Sequence, residues 1–540
     1  MTKSSLISTR EWRWAISWSV VVLVLSCVPY LVTVYATPEG WQFAGILVNP
    51  LDGNSYLAKM RQGFDGNWLF RLTYSPEPHQ GAFIFTFYLA LGHLAALAQL
   101  PLIIVFHLAR LIAGFGLLVA AYRFIARVTS DPGERQLAFI FMLIASGLGW
   151  LGVMFGAFPI DLWIPEAFVP YSLFANPHFP LSMALMLVVI QNVVWPPPRT
   201  SDTLRPRPYS LGYALLTGLA AVALALILPF ALLTVWAILV AYLGWFYVTY
   251  RRLPWRQIWL TLAVGLCPTP VILYMYWVSI SNPVIAGWSA QNVTPAPNVL
   301  DFVLGYGLIG ILAIIGAWMI TRQGLPRNDD KKRGEWLVLL WAAVTIVLIY
   351  LPFDLQRRLI NGLHIPISIL AALGLRRWLP RMPLNVMYRR QVTAALIALS
   401  AVGTLFVWIL PVIGARQSPA DSPTTALLYL RYDELSIMRW LRENTRSDDV
   451  ILASPRLGMF VPGQTGARAF YGHPFETIEA RQKQALTEAF FEDDLEAVSP
   501  PVDFIIYGPS EQLLGQPQQL QNYPVVFSVG AVSVYKVVME

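Results

Sequence analysis

The chain has 540 residues, of which 56% are hydrophobic and only 13% charged, with a formal net charge of +7. A soluble globular chain carries about 25% charged residues, so the composition excludes an ordinary soluble domain. The positive balance does not mark a nucleic-acid binder either, because Lys and Arg fall between long apolar runs, the pattern of membrane topology.

The first apolar run, 16–36, follows Lys3, Arg10 and Arg13. It is longer than the core of a signal peptide and reads as an uncleaved first span. A long polar stretch, 37–81, comes next. The apolar run 82–99 is ambiguous. Further spans are predicted at 101–122, 136–157, 179–195, 210–228, 229–250, 258–279, 300–320, 336–351, 363–379 and 391–414, most of them near the roughly 20 residues that cross a hydrocarbon core. Cys27 and Cys267 lie inside such runs, which leaves neither a disulfide framework nor a CxxC metal site. The only low-complexity patch is the proline run at 196–198.

Charge placement decides the ambiguous run. If 82–99 does not cross, one side collects Arg123, Arg127 and Arg135; Arg199, Arg205 and Arg207; Arg251, Arg252 and Arg256; Arg322, Arg327, Lys331, Lys332 and Arg333; and Arg376, Arg377, Arg381, Arg389 and Arg390. The other side keeps Lys59, Arg61, Arg71, Arg357 and Arg358. If it did cross, every later loop would invert and the bias would reverse. The expectation is therefore an all-α polytopic membrane protein of about eleven spans, with an interfacial or re-entrant helix at 82–99 and a cytoplasmic N-terminus.

From 415 onward charge and polarity rise. Residues 433–444 have a helical period, with Leu435, Ile437, Met438 and Leu441 on one side. A second helix is predicted over 477–491. Residues 450–453, 502–507 and 525–538 read as strands bounded by Gly and Pro. The predicted organisation is a membrane domain, 1–414, with a first outer loop at 37–100, and a small extracytoplasmic α/β domain, 415–540.

Acidic, basic and cationic side chains gather in the outer loops. The first loop holds Asp52, Tyr56, Lys59, Glu77 and His79; the next, about 158–178, holds Asp161, Glu166 and His178. A later one holds Arg357, Arg358 and His364, and the C-terminal domain adds His473 and Glu476. Each has a plain alternative. Asp52 before Gly53 suits a turn or a helix cap, Asp161 and Glu166 suit solvated loop positions, His178 suits an ordinary loop histidine, and Arg357 and Arg358 suit snorkelling anchors. The arginine pair is the least ordinary, since the topology rule disfavours cations on that side. Guanidinium forks match phosphate geometry, which points to an anionic head group.

This arrangement resembles the GT-C class of membrane glycosyltransferases, in pattern the bacterial mannosyl- and aminoarabinose-type transferases. Asp52 with Gly53-Asn54-Ser55-Tyr56 stands where the class has an Asp soon after the first span. The run 82–99 looks like its juxtamembrane helix, and Arg110 resembles the arginine that often opens its second span. The Leu228-Pro229-Phe230 link between two spans is similar as well. The resemblance implies an inverting sugar transfer from a polyprenyl-phosphate donor to a glycan, lipid or protein acceptor on the extracytoplasmic face. It implies Asp52 as general base towards an acceptor hydroxyl or as the group that orients it, Arg357, Arg358 and His364 on the donor phosphate, and Tyr56, Glu77, His79, His178 and His473 on sugar or acceptor. Members often take a divalent cation, Mg or Mn, for which Asp161 and Glu166 are the candidates, although their spacing is not diagnostic. Two rival classes stay open: a transporter or lipid flippase, and a non-catalytic membrane protein whose outer domain binds a partner. Mid-span regions nearly free of charge count against the transporter.

Overall fold

The computed structural model describes residues 6–196, 211–326, 329–352, 354–417, 422–493 and 501–537. Arg199, Arg205, Arg207, Arg327, prolines 197 and 198, and the predicted strand end at 538 lie outside the described residues.

The protein is mostly helical, with a small sheet region near its C-terminal end. Among the described residues six helices are long and apolar enough to cross a membrane: Thr9–Tyr35, Leu102–Val128, Pro229–Tyr250, Trp255–Ser281, Val299–Arg322 and Val386–Ala415. A bent pair, Pro132–Ile144 and Gly149–Phe155, makes a seventh if counted as one span. This is a multi-pass membrane protein. The other four predicted spans are helical too, at His178–Val194, Leu211–Ile227, Asp330–Ile349 and His364–Trp378, but they are shorter or open on charged residues. Length and composition alone therefore support six or seven of the eleven. The run 82–99 forms Thr86–Ala98, whose 13 residues give a rod of roughly 20 Å, against a hydrocarbon core of about 30 Å.

The chain forms two compact units. The first comprises Met1–Val28, Ala109–Leu273 and Thr294–Leu410; the second comprises Pro29–Leu108, Tyr274–Val293 and Pro411–Glu540.

In the first unit the bent pair breaks at 145–148. Its freed amides find carbonyls elsewhere: Ser146 donates to Ser400 at 2.7 Å and Leu148 to Leu304 at 2.8 Å. A broken helix is tolerable at membrane depth only with such replacements. Gly147 makes the close approach possible, since a Cβ there would lie 2.0 Å from the Gly305 carbonyl oxygen. Arg110 is fully buried and donates to the Ser26 hydroxyl at 3.1 Å and the Leu173 carbonyl at 2.6 Å. That makes it a tie between elements. At one end of the unit Arg377 bridges Glu134 and Glu335, each at 2.7 Å.

In the second unit the helices Pro50–Phe64 and Thr86–Ala98 cross through two glycines. A Cβ on Gly63 would meet the Leu89 oxygen at 2.0 Å, and one on Gly92 the Met60 oxygen at 2.0 Å. The C-terminal part carries a five-stranded sheet in the order Arg468–Ala469, Val450–Leu452, Phe504–Tyr507, Val532–Lys536, Val525–Val529. The first three strands are parallel and the last two antiparallel to their neighbours. Side chains alternate across it, as the two-residue period of a strand requires. Ile451, Phe504 and Ile506 pack with Ile437, Met438 and Leu441 of the helix Tyr432–Asn444. Val450, Leu452 and Ile505 pack with Phe490 and Phe491 of the helix Ala480–Phe491. The single strand expected over 525–538 is instead a hairpin that turns at Gly530, φ 59°. The helix expected from 477 starts at Ala480, because the Thr477 amide already donates to the His473 carbonyl in a preceding turn. A separate two-stranded pairing joins Trp41–Phe43 to Tyr429–Arg431.

Candidate functional site

The helix Pro50–Phe64 opens with Asn49 in the left-handed region, φ 48°, and Pro50 in the first turn, where its missing N–H costs nothing. Along it Asp52, Ser55, Tyr56 and Lys59 recur at i, i+3, i+4 and i+7, which places them on one face. Asp52 is exposed and lies in the first turn, where the helix dipole favours a carboxylate.

Lys59 is buried and pairs with Glu476 at 2.7 Å. Its ammonium also donates to the Ser55 hydroxyl, which in turn donates to Glu476 Oε1 at 2.5 Å. The ring of Phe85 lies 4.6 Å from the same ammonium. Burial pushes the Glu476 carboxyl up, but the Lys59 charge, His473 and the two side-chain hydrogen bonds outweigh it and hold the group below its ordinary range. The result is a neutralised and saturated cluster.

The segment 473–477 that supplies Glu476 is pinned within the same unit. Gln291 donates to the carbonyl oxygens of Thr477 at 2.8 Å and Phe475 at 3.3 Å, and the Ile478 amide donates to Ser75 Oγ at 2.9 Å. His473 is buried, and its Nδ1 accepts from the amides of Phe475 at 3.1 Å and Glu476 at 3.2 Å. The proton therefore sits on Nε2. Burial holds the imidazole below its ordinary pKa, although the carboxylates of Glu476 and Asp52 pull it upward. His473 is thus a neutral donor near Asp52. Tyr56 stacks on Tyr88 at 4.4 Å with 5° between the rings.

The other first-loop candidates are occupied differently. Glu77 forms an ion pair with Lys483. His79 Nε2 accepts from the Leu72 amide at 2.8 Å, while Nδ1 lies 2.8 Å from the Glu77 carbonyl. The opposite face of the same helix, with Leu57, Arg61 and Phe64, lines a cavity of about 660 Å³. Arg61 there is engaged by Asp65.

In the first unit the later outer-loop candidates come together. The turn Gln356–Ile360 carries both arginines. The Arg357 guanidinium lies over the Trp163 ring at 5.0 Å, and that of Arg358 over the Phe230 ring at 5.7 Å. Among the described residues neither has a carboxylate partner, and Arg357 Nε is buried without a hydrogen-bond acceptor. The Gly362 amide donates to the Glu166 carbonyl at 3.3 Å, and His364 is fully buried with its ring 5.3 Å from that of Phe168. His178 is buried at the start of His178–Val194.

Asp161 is nearly inaccessible. Its Oδ2 accepts from Ser146 Oγ at 3.0 Å and from the amides of Gly147 at 3.0 Å and Gly149 at 3.1 Å. Burial pushes its carboxyl up to about 6, against those three hydrogen bonds. A carboxylate used in this way closes a loop, and no group of three or more His, Cys, Asp or Glu suited to a metal occurs among the described residues. Among the described residues Asp161 Oδ1 is buried without a hydrogen-bond partner, while the three bonds to Oδ2 tie the carboxylate into the loop.

No family model matches the chain, and no curated protein matches it. Solved structures do match in fold. ArnT from Cupriavidus metallidurans, bound to undecaprenyl phosphate, is 13% identical, with 96% of this chain and 98% of that one covered and a TM-score of 0.54. The archaeal oligosaccharyltransferase AglB from Archaeoglobus fulgidus, in complex with an inhibitory peptide and a dolichol-phosphate, is 14% identical over 93% of this chain and 70% of that one, with a TM-score of 0.52. The chain has the GT-C fold. The resemblance drawn from the residues around Asp52 is met at the level of that fold. The Ser55–Lys59–Glu476 cluster is not visible in the sequence pattern. The i, i+3, i+4, i+7 stripe from Asp52 was a signal for half of it. Glu476 stood among the candidate acidic residues, but nothing local paired it with Lys59, 417 residues away.

Proposed function

We propose that this GT-C chain is a membrane glycosyltransferase that moves a sugar from a polyprenyl-phosphate donor to a glycan, lipid or protein acceptor on the extracytoplasmic face. The observation that carries the reading is the end-to-end likeness in fold to ArnT bound to undecaprenyl phosphate, 96% of this chain against 98% of that one. The exposed carboxylate of Asp52 in the first outer loop supports it. In the proposed step the acceptor hydroxyl gives its proton to Asp52 while its oxygen bonds to the anomeric carbon. The anomeric C–O bond to the lipid phosphate breaks, the phosphate leaves with the electron pair, and the configuration inverts. Arg357 and Arg358 take the lipid phosphate, for which carboxylate-free guanidinium groups are suited. His364, buried against Phe168, positions that turn. Tyr56, with its aromatic face, serves the sugar or acceptor, His178 and His473 remain candidates there, and His473, being buried, would act only on a group that reaches it from the Asp52 side. Glu77 and His79, already engaged, serve the scaffold. No step is routed through a metal.

The proposed topology has eleven spans, a cytoplasmic N-terminus, membrane domain 1–414 and extracytoplasmic domain 415–540. Single cysteines in a Cys27- and Cys267-free background test it. Ser447→Cys should react with an impermeant maleimide on intact cells and Ser130→Cys only after permeabilisation; the reverse pattern refutes the topology. The activity is tested in proteoliposomes carrying a radiolabelled polyprenyl-phosphate sugar and envelope acceptors. Label should leave the lipid fraction, and transfer in EDTA compared with transfer in Mg or Mn tests whether a divalent cation takes part. Label that stays on the lipid under every condition, with a panel of acceptors, removes the reading.

A further inference from the structure

A second site stands apart from the candidate chemistry. In the first unit a cavity of about 430 Å³ is lined by Arg123, Arg127, Gln191, Asn192, Trp195 and Tyr213. We propose that it binds an anionic membrane phospholipid, with Arg123 and Arg127 on the head-group phosphate.

The arginines decide the chemistry. Others at this end of the unit already have carboxylates: Arg135 on Glu11 at 3.0 Å, Arg377 on Glu134 and Glu335 at 2.7 Å each, and Arg333 on Asp330. They share the end with the cavity, since a Cβ on Gly334 would lie 3.1 Å from Trp195 and 3.2 Å from the Arg127 carbonyl oxygen. Arg123 and Arg127 have no carboxylate partner among the described residues. They stand one turn apart on Leu102–Val128, so their guanidinium groups reach the same space. The Tyr213 phenol lies in the field of Arg256, Arg127 and Arg123, and donates to the Asn192 carbonyl at 3.2 Å. Among the described residues no acidic side chain lines the cavity.

The shape favours a lipid over a free phosphate. Arg127 is in the last turn of its helix, where head groups lie, and the lining continues through Val119 to Gly116. Eleven residues of helix give roughly 16 Å of depth. Val188 adds an apolar wall. Cation above and hydrocarbon below is the polarity of a phospholipid, and basic pockets between membrane helices are known head-group sites. Gly116 is exposed at the far end of the lining, where a Cβ meets nothing within 4 Å, so the groove stays open along its length.

The test uses the full chain in nanodiscs of mixed phosphatidylglycerol and phosphatidylcholine, followed by native mass spectrometry of retained lipid. Wild-type protein should retain phosphatidylglycerol preferentially. The double variant Arg123→Ala/Arg127→Ala should retain about tenfold less, the loss of one to two charge-assisted hydrogen bonds. Gly116→Trp, which puts an indole into the far end of the groove and keeps both charges, should lose it as well. A wild type without preference for phosphatidylglycerol overturns the proposal. So does a monodisperse Gly116→Trp that retains wild-type amounts, because the arginines would then attract lipid as surface charges only. Inorganic phosphate that displaces the lipid at equal concentration would contradict the amphiphile reading.

Discussion

Lys59 and the Arg357–Arg358 turn show cations put to opposite uses. Lys59 is sealed against Glu476, Ser55 and the Phe85 ring, so its charge is spent inside the second unit. Arg357 and Arg358 are covered by aromatic faces and have no carboxylate among the described residues. A ring stabilises a cation while leaving its hydrogen-bond donors available, whereas a carboxylate consumes them. Which residues a cation already satisfies therefore says more about its task than how deeply it is buried.

The largest expected effect separates these uses. Glu476→Gln leaves a buried ammonium without its counter-charge, which costs about 3–5 kcal/mol. Thermal unfolding should drop accordingly, while the apolar double replacement Lys59→Met/Glu476→Leu should recover much of the loss. Equal melting of Glu476→Gln and wild type would erase the distinction. Next come the arginines. Arg357→Ala or Arg358→Ala should each weaken binding of a polyprenyl-phosphate analogue by about tenfold or more, as loss of a charge-assisted hydrogen bond of roughly 1.5–3 kcal/mol implies, with little change in melting. Arg→Lys should not restore full affinity, because the planar fork is lost. Unchanged affinity in the double Ala variant rules out the phosphate role. Smallest is Ser55→Ala, which removes one link of the cluster and should cost about 1 kcal/mol by the same thermal measurement. A cost as large as that of Glu476→Gln would mean the hydroxyl, and not the ion pair, holds the cluster.

Apolar runs of span length were legible because membrane helices announce themselves by composition, and each of those segments is helical in the structure. The strands at 450–453 and 502–507 were legible from β-branched runs next to turn residues. The hairpin read as one strand because its turn is short, with only Gly530 to mark it. The strands Trp41–Phe43, Tyr429–Arg431 and Arg468–Ala469 are two or three residues long and carry no periodic signal. At the site, the arginine pair stood out because it breaks the charge rule for its predicted side. The engagement of Glu77 by Lys483 and of Lys59 by Glu476 was not legible, since both partners arrive from the far end of the chain. Asp161 looked like a loop charge until its three donors, two of them backbone amides, were seen.

The most direct test of the account is the transfer rate of Asp52→Asn in proteoliposomes with a radiolabelled lipid-linked sugar. Asn is nearly the same size but a poor base, so folding and lipid binding should persist while turnover falls by about 10²–10⁴-fold. Asp65→Asn and Glu166→Gln serve as controls and should keep most of the activity. Full turnover by Asp52→Asn, or an equal loss in the controls, would contradict Asp52 as the catalytic base.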